Sequence, residues 1–195
     1  NEIHFVIDDL EFEVNTAEEI FILHEIWIQG TYNFKSEEAK KIVLDIGMNV
    51  GFASLFFANM KDVEQVIGFE PFTPTYNQAL RNLHLNEKTQ SKISHLNYGL
   101  GAKEESIEVE YSSEHRGRTG LWGTDLVNEK IEHIQKEKIR IKEFNTEFEK
   151  IIEKYSNHDI ILKIDCEGSE YGILNNVHRE LLENVSVIMM EWHKK

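Results

Sequence analysis

The stretch KIVLDIGMNVG, residues 41–51, decides the fold. Its first six residues are mostly apolar, as in a strand buried on both faces of a parallel sheet. It closes on Gly47 and Gly51, which lack the Cβ that would obstruct a sharp turn or the close approach of a ligand. The stretch therefore predicts a buried strand, a tight turn and the start of a helix, with a ligand crevice at the carboxyl end of the strand.

Four further segments, most of them apolar runs, predict the rest of a sheet. They cover residues 66–70, 93–97, 160–165 and 185–191, and apolar residues at helical spacing follow residues 51, 73 and 146. Residues 139–144 are predicted to form an additional strand, and Thr146 and Glu149 have the spacing of a capping box for the helix after it. Strands that alternate with helices predict an α/β fold with a parallel central sheet and right-handed crossovers.

Residues 1–40 precede this alternating pattern. Weak alternation over residues 5–14 predicts a hairpin, and Thr16 and Glu19 have capping-box spacing before a helix that Gly30 ends. We therefore expect residues 1–40 to form a hairpin and helix segment packed on the core, and residues 41–195 to form the ligand-binding domain. Tyr32 is expected either to cover the ligand or to be an ordinary core tyrosine.

The composition limits the partners. The 195 residues carry a formal net charge of −14, and a field of that sign repels phosphate backbones and anionic lipid. No apolar run approaches the roughly 20 residues that span a bilayer, and the single cysteine, Cys166, cannot form an internal disulfide. We therefore expect a cytoplasmic protein that binds neither nucleic acid nor membrane and that acts on a small molecule.

The glycine turn and the next strand tip indicate the chemistry of the ligand. A dinucleotide fingerprint reads G-x-G-x-x-G, whereas residues 47–51 read G-x-N-x-G, with Asp45 before the first glycine. That spacing favours a nucleoside that carries an amino acid over a dinucleotide with its pyrophosphate. Glu70, at the tip of the second core strand, is placed to accept hydrogen bonds from the ribose hydroxyls. The alternatives are an ordinary tight turn and a solvated strand end.

Carboxylates cluster after the fourth predicted core strand. Asp165, Glu167 and Glu170 would repel one another if buried without partners, so the cluster indicates a cationic ligand, a metal or acid–base chemistry. The alternative is a helix start, which favours acids. His193, at the tip of the last strand, is of the type that acts as a general base near neutral pH. We expect Asp165, Glu167 or His193 to be the base and predict no metal; a divalent ion on these side chains and Glu191 is the less favoured alternative.

Together these motifs resemble the FkbM family of S-adenosylmethionine-dependent methyltransferases. The order and separation of the matching segments are similar to the family from about residue 20 onward, and the segment around Lys163 is the most specific. Met48 departs from the family pattern, which usually has a small alanine there. The matching segments are VLDIGMNVG (43–51), GFEP (68–71), NLHLN (82–86), LKIDCEG (162–168) and EWH (191–193).

The resemblance implies a Rossmann-like class I methyltransferase fold, with a mostly parallel sheet in the order 3-2-1-4-5 flanked by helices. Residues 41–195 would be the S-adenosylmethionine-binding domain, and the reaction would be O-methylation of a hydroxyl on a small molecule or a saccharide. Such folds normally add two strands after the fifth, so either those strands are absent or the sequence stops short of them. The residues expected around the cofactor are Asp45, Gly47, Asn49, Gly51, Glu70, Phe72 against adenine, and Asp165 near the methionine end.

Two other classes of protein share such a sheet. An NAD-dependent oxidoreductase would also have an acid on the ribose, but the third glycine of its phosphate-binding turn is not at its place here. A non-catalytic nucleoside-binding module would keep the fold without turnover. Both stay as alternatives at the level of the sequence.

Overall fold

A computed structural model of the chain describes residues 3–35, 40–112, 119–120, 123–124 and 134–192. The strands are β1 (Ile3–Ile7), β2 (Leu10–Val14), β3 (Lys41–Ile46), β4 (Val63–Phe69), β5 (Ile93–Leu96), β6 (Gly99–Gly101), β7 (Glu105–Ser112), β8 (Thr119–Gly120), β9 (Gly123–Thr124), β10 (Ile134–Glu143), β11 (Asp159–Ile164) and β12 (Val185–Met190). The helices are α1 (Ala17–His24), α2 (Phe52–Asn59), α3 (Thr73–Leu85), α4 (Glu87–Gln90), α5 (Phe144–Lys154), α6 (Glu170–Asn176) and α7 (Arg179–Leu182).

Five parallel strands form the central sheet, in the order β5-β4-β3-β11-β12. Numbered along the chain, this is the order 3-2-1-4-5 that the resemblance implies, and the α/β fold with flanking helices is confirmed. The fold differs in detail because a second sheet, in the order β6-β10-β7, is inserted between the third and fourth core strands. Only one strand of that sheet, β10, was anticipated by the predicted strand at residues 139–144.

Each face of the central sheet carries its own apolar core, because every core strand presents alternate side chains to opposite faces. On one face Val43 and Ile161 pack with Phe12 of β2 and with Phe52 and Leu55 of α2. The opposite face packs against α5 and α6; its core includes Ile42, Leu44, Ile164, Phe148 and Ile173. Since both faces of the inner strands are covered, β3 and β11 read as nearly continuous apolar runs.

The N-terminal segment forms the predicted hairpin and helix. β1 and β2 pair antiparallel, and the side chain of Thr16 caps α1 by accepting the N–H of Glu19 at 3.2 Å. α1 continues as a π-helical turn, Glu25–Gln29, which ends at Gly30 with a φ of 70°. The ring of Phe12 meets the ring of Phe52 edge-on at 5.2 Å, so β2 contributes directly to the core around α2.

The start of α5 differs from the prediction. α5 begins at Phe144, two residues before Thr146, and the carboxylate of Glu143 accepts the N–H groups of Asn145 (3.1 Å) and Thr146 (2.7 Å). β10 runs directly into the helix, so the last residue of the strand supplies the cap. The capping box expected from Thr146 and Glu149 is therefore wrong as the start of this helix.

Candidate active site

The glycine turn is tied to the tips of both strands beside it. The N–H groups of Gly47 and Met48 donate to the carbonyl oxygen of Phe69 at 3.1 and 2.9 Å. Gly47 has a φ of 84°, and a Cβ there would lie 1.7 Å from the carbonyl oxygen of Asp165. Gly47 is thus required by the backbone directly after β11 as well as by the turn, and the tips of β3, β4 and β11 converge at this point.

The carboxylate of Glu70 binds the turn directly. One of its oxygens accepts the N–H of Asn49 and the other accepts the N–H of Phe72, each at 2.9 Å. Burial raises the pKa of Glu70 to about 7, although the two N–H donors act to lower it. An ionised carboxylate has about four acceptor positions, so two remain for a ligand. The structure therefore places Glu70 and the glycine turn, the two predicted parts of the nucleoside site, within one hydrogen bond of each other.

Asn49 offers a further polar atom at the same place. Its backbone lies in the left-handed region, with a φ of 51°, and its side-chain oxygen is buried without a hydrogen-bond partner among the described residues. A buried polar atom without a partner costs about 1–3 kcal/mol. Such an atom beside Glu70 indicates a site where a ligand supplies the missing hydrogen-bond donor.

Met48 fits the turn because its neighbour on β4 is a glycine. A Cβ at Gly68 would lie 2.4 Å from the sulfur of Met48, so the thioether occupies the space that a side chain there would fill. The departure from the family's alanine is therefore accommodated within the sheet, where Met48 is buried.

Lys163 supports the turn from within the sheet. Its ammonium group donates to the carbonyl oxygen of Gly47, lies 3.0 Å from the carboxylate of Asp45 and 3.7 Å from that of Asp165. Burial alone would lower the pKa of Lys163, but the surrounding acidic groups, Asp45 foremost, raise it above its ordinary value. The lysine is thus held as a cation between two carboxylates beneath the turn.

Asp45 is buried and its carboxylate is used internally. One oxygen faces Lys163, and the other accepts the hydroxyl of Ser54 at 2.6 Å. Asp45 was predicted to contact the cofactor; its position favours an indirect contribution, through Lys163 and the first turn of α2.

Tyr32 joins this cluster from the N-terminal segment. Its hydroxyl donates to the carboxylate of Asp165 at 3.2 Å, and its ring centroid lies 5.7 Å from the ammonium of Lys163. Burial raises the pKa of Tyr32 well above its ordinary value, so the hydroxyl keeps its proton and acts as a donor. Tyr32 was expected either to cover the ligand or to be an ordinary core tyrosine. In the structure its hydroxyl contacts Asp165, a predicted site residue.

The three carboxylates after β11 have different surroundings. Glu170 is fully buried and accepts the N–H groups of Cys166 (3.1 Å) and Gly168 (2.8 Å), so it holds the turn together. Asp165 is partly exposed and contacts Tyr32 and Lys163. Glu167 lies at the tip of the turn, partly exposed, with a φ of 48°. Burial raises the pKa of the Cys166 thiol, which keeps it protonated and unreactive.

Phe72 packs against the inserted sheet. Its buried ring stacks on that of Tyr111 at 5.4 Å, and the Tyr111 hydroxyl is 3.1 Å from the hydroxyl of Thr75. One side of the ring is therefore already occupied by β7. Its predicted contact with adenine stays a prediction.

The tip of β12 lies beside that of β11, as expected. The N–H of Glu191 donates to the carbonyl oxygen of Ile164 at 3.1 Å. The next residue, Trp192, is 48 % exposed, and its ring lies 4.0 Å from that of Tyr171. His193, the third candidate base, lies outside the described residues.

Comparison with known proteins identifies the family. The profile of the methyltransferase FkbM domain matches residues 45–195, which is most of the chain and includes every segment of the site just described except Tyr32. The chain belongs to the FkbM methyltransferase family. The match begins at Asp45, so the N-terminal hairpin and α1 lie outside the matched FkbM domain.

Two curated relatives of this FkbM chain are named as methyltransferases. "Methyltransferase 1" of Beauveria bassiana (strain ARSEF 2860) is 24 % identical, with 92 % of this chain and 78 % of that protein covered. "Methyltransferase sdnD" of Sordaria araneosa is also 24 % identical, with 90 % and 76 % covered. A solved structure, the methyltransferase FkbM from Methylobacillus flagellatus KT, is 15 % identical with a TM-score of 0.49; the likeness covers 84 % of this chain and 36 % of that one.

The described part of this FkbM chain contains neither a cluster of metal ligands nor a membrane-spanning helix. No three His, Cys, Asp or Glu side chains come together there as a metal site requires. No helix in those same ranges is long and apolar enough to span a bilayer.

Two contributors to the FkbM site were not singled out from the sequence. Lys163 was quoted only as part of a motif, yet a lysine inside the apolar run of residues 160–164 is itself a signal, since a buried lysine needs anionic partners. Ser54 gave no such signal, because serine at a helix start is common and its partner lies in a different element.

Proposed function

We propose that the chain is an S-adenosylmethionine-dependent O-methyltransferase that acts on a hydroxyl of a small molecule or a saccharide. The observation that carries the proposal is the hydrogen bond between Glu70 and the N–H of Asn49, beside the unpartnered side-chain oxygen of Asn49. This bond joins Glu70, the proposed acceptor for the ribose hydroxyls, to the glycine turn, and the turn lacks the third glycine of a dinucleotide site. Membership of the FkbM methyltransferase family supports the reaction class.

The residues present fit the cofactor. The two remaining acceptor positions of Glu70 match two ribose hydroxyls, and the free oxygen of Asn49 matches a donor such as the ammonium group of the methionine part. Asp165, partly exposed at the neighbouring strand tip, is the proposed contact for that cationic end. Gly47 and Gly51 let the backbone of the turn approach the ligand. When bound, S-adenosylmethionine supplies an electrophilic methyl carbon on a sulfonium.

The chain's own part in the reaction is to place an acceptor hydroxyl and to take its proton. Positioning of two reactants supplies roughly 7–11 kcal/mol, and a general base adds roughly 10²–10⁴-fold. Glu167 is the proposed base among the described candidates, because it lies partly exposed in the turn after β11, next to Asp165, the proposed contact for the cationic end of the cofactor. His193 stays a candidate as well.

Isothermal titration calorimetry with S-adenosylhomocysteine, S-adenosylmethionine and NAD⁺ tests the cofactor. We expect binding of the first two and none of NAD⁺, and Glu70→Ala should weaken S-adenosylhomocysteine binding at least about tenfold through loss of the ribose contacts. Glu104→Ala, which removes an exposed glutamate, is the matched control and should leave affinity unchanged. Binding of NAD⁺ alone, or unaltered affinity in Glu70→Ala, would contradict the assignment.

Release of S-adenosylhomocysteine from a panel of methyl glycosides and hydroxylated polyketides tests turnover. With an accepted alcohol, we expect Glu167→Gln to lose about 10²-fold or more in kcat while its affinity for S-adenosylhomocysteine stays near the wild-type value. His193→Ala is measured in parallel, and the larger loss identifies the base. Cofactor binding without product from any acceptor favours the non-catalytic module instead.

The proposed class of acceptor and the proposed cellular location follow from charge and composition. A net charge of −14 supports a small-molecule acceptor over nucleic acid or an anionic membrane surface. The single cysteine supports a cytoplasmic location.

A further inference from the structure

Asn82 of α3 and Asn86, the residue that ends this helix, bind the free edge of β2 as a neighbouring strand would. The side-chain amide of Asn86 accepts the N–H of Glu11 at 2.9 Å and donates to the carbonyl oxygen of Glu11 at 2.7 Å. Asn82 accepts the N–H of Glu13 at 2.7 Å. Residues four apart on a helix rise by about 6 Å, and residues two apart on a strand by about 6.6 Å. The spacing of NLHLN therefore matches the repeat of a strand edge.

Asn82 makes a second bond that Asn86 does not. Its amide nitrogen donates to the carbonyl oxygen of Val50, inside the glycine turn, at 2.9 Å. The hydrogen-bond ladder of α2 begins one residue later, where the carbonyl oxygen of Gly51 accepts the N–H of Leu55. The Val50 carbonyl thus lies before the ladder and is held by Asn82, which is fully buried. The amide nitrogen of Asn86 instead donates to backbone oxygens of Glu11 and Asn82.

The bond to Val50 lies next to the left-handed residue of the turn. Asn49 has a φ of 51°, which asparagine adopts more readily than other residues with a side chain, and its neighbours on both sides hold it in this conformation. On one side Glu70 holds the N–H of Asn49; on the other, Asn82 holds the carbonyl of Val50. Release of the Val50 carbonyl would let the turn relax and move the Asn49 amide and side-chain oxygen away from the ligand.

We propose that Asn82 is a positioning residue for cofactor binding, which couples the N-terminal hairpin to the glycine turn through one side-chain amide. The proposal rests on the proposed function in one respect, that S-adenosylhomocysteine binds at this turn. Asn86 has a structural role only, because it binds the hairpin and does not contact the glycine turn.

Asn82→Asp and Asn86→Asp form the matched pair that tests this. Each change keeps the acceptor oxygen, removes the amide nitrogen, which donates once from Asn82 and twice from Asn86, and sets a carboxylate against backbone carbonyl oxygens, so both should lower the urea midpoint. By calorimetry, only Asn82→Asp should weaken S-adenosylhomocysteine binding, by about tenfold or more, whereas Asn86→Asp should stay within about twofold of wild type. Without ligand, hydrogen exchange of the Asn49 amide should accelerate in Asn82→Asp alone.

The outcomes separate the two proposals. Equal losses of affinity in both variants would reduce Asn82 to a structural anchor, and wild-type affinity with unchanged exchange at Asn49 in Asn82→Asp would also overturn the inference. If the wild-type chain does not bind S-adenosylhomocysteine, the proposed function fails, while exchange of the Asn49 amide still decides the positioning role. Should Asn82→Asp not fold, Asn82→Ala, which buries no charge, is judged by the same criteria.

Discussion

At the scale of single residues, Glu70 carries the clearest electrostatic signature. It is almost fully buried, and burial raises its pKa from an ordinary 4.5 to about 7. The folded protein therefore binds more protons at Glu70 than the unfolded chain does between these two pH values. Stability contributed by this group is fully present below about pH 4.5 and is lost as the pH rises to about 7.

Glu70→Gln should remove that dependence. One pKa unit corresponds to about 1.4 kcal/mol, so the free energy of unfolding of the wild type should fall by up to about 3 kcal/mol more than that of the variant between pH 4.5 and 7.5. Urea unfolding of both proteins at several pH values measures the difference, in which the titration of all other groups cancels. Parallel stability curves would show that Glu70 is not buried as a carboxyl in the free protein.

The residues of the site differ in how far the sequence predicts them. Gly47, Asn49 and Glu70 were predicted because each lies at a strand tip, and parallel strand tips meet at one edge of a sheet. The partners of Lys163 were not, since they depend on the register of β3 against β11, which sets Lys163 opposite Asp45. Whether a carboxylate is buried in support of a turn, as Glu170 is, or stays partly exposed, as Glu167 does, depends on the path of the backbone within one turn.

At the scale of elements, the glycine turn differs from an ordinary βα turn because neighbouring backbone atoms leave no space for a side chain at Gly47. Gly47 and Gly51 both have positive φ values, of 84° and 87°, but their surroundings differ. A Cβ at Gly51 would meet Ala79 at 3.4 Å, an ordinary contact, whereas a Cβ at Gly47 would collide with backbone atoms of Asp165. The turn is therefore fixed by the packing of two strand tips as well as by its dihedral angles.

Alanine at three glycines separates these two effects. Gly172→Ala in α6, with an ordinary contact at 3.6 Å and no positive φ, should stabilise the protein by about 0.5–1 kcal/mol. Gly51→Ala should cost about 1–2 kcal/mol for its backbone conformation. Gly47→Ala should cost at least about 2 kcal/mol more than that, because backbone atoms must move apart. Urea unfolding checks the order, and equal costs at Gly47 and Gly51 would mean that the strand tips can separate freely.

The core strands were predicted, whereas the inserted sheet mostly was not. β3 and β11 are buried along nearly their whole length and read as apolar runs, while the edge strands β5 and β12 are only partly buried, and the order of the five follows from the resemblance. β7 went unpredicted although Ile107, Val109 and Tyr111 alternate with polar residues, the period of a strand with one buried face. β6, at three residues, is too short to give a pattern, and it pairs with a strand some 40 residues away in sequence.

At the scale of the whole molecule, the N-terminal segment completes the core on the α2 face of the sheet. Leu10, Phe12, Val14, Leu23 and Ile26 are all buried there. Full burial of such side chains stabilises by about 1.5–3 kcal/mol each. Together that is on the order of 7–15 kcal/mol, as large as the whole stability of a typical domain, about 5–15 kcal/mol.

We therefore expect the fragment of residues 41–195 not to fold by itself, although it contains the predicted ligand-binding domain and the whole FkbM match. The apolar side chains of α2 and the sheet that the hairpin and α1 cover would be exposed to solvent. The side chains of Asn82 and Asn86 would also lose their partners on β2. Near-ultraviolet circular dichroism and thermal unfolding should show no cooperative transition for the fragment. Addition of a peptide of residues 1–40 should restore a concentration-dependent transition, because the same apolar surface is then covered in trans. A fragment that melts cooperatively without the peptide would mean that the hairpin is not needed for folding. The contact of Asn82 with β2 could then affect only the conformation of a glycine turn that is already folded.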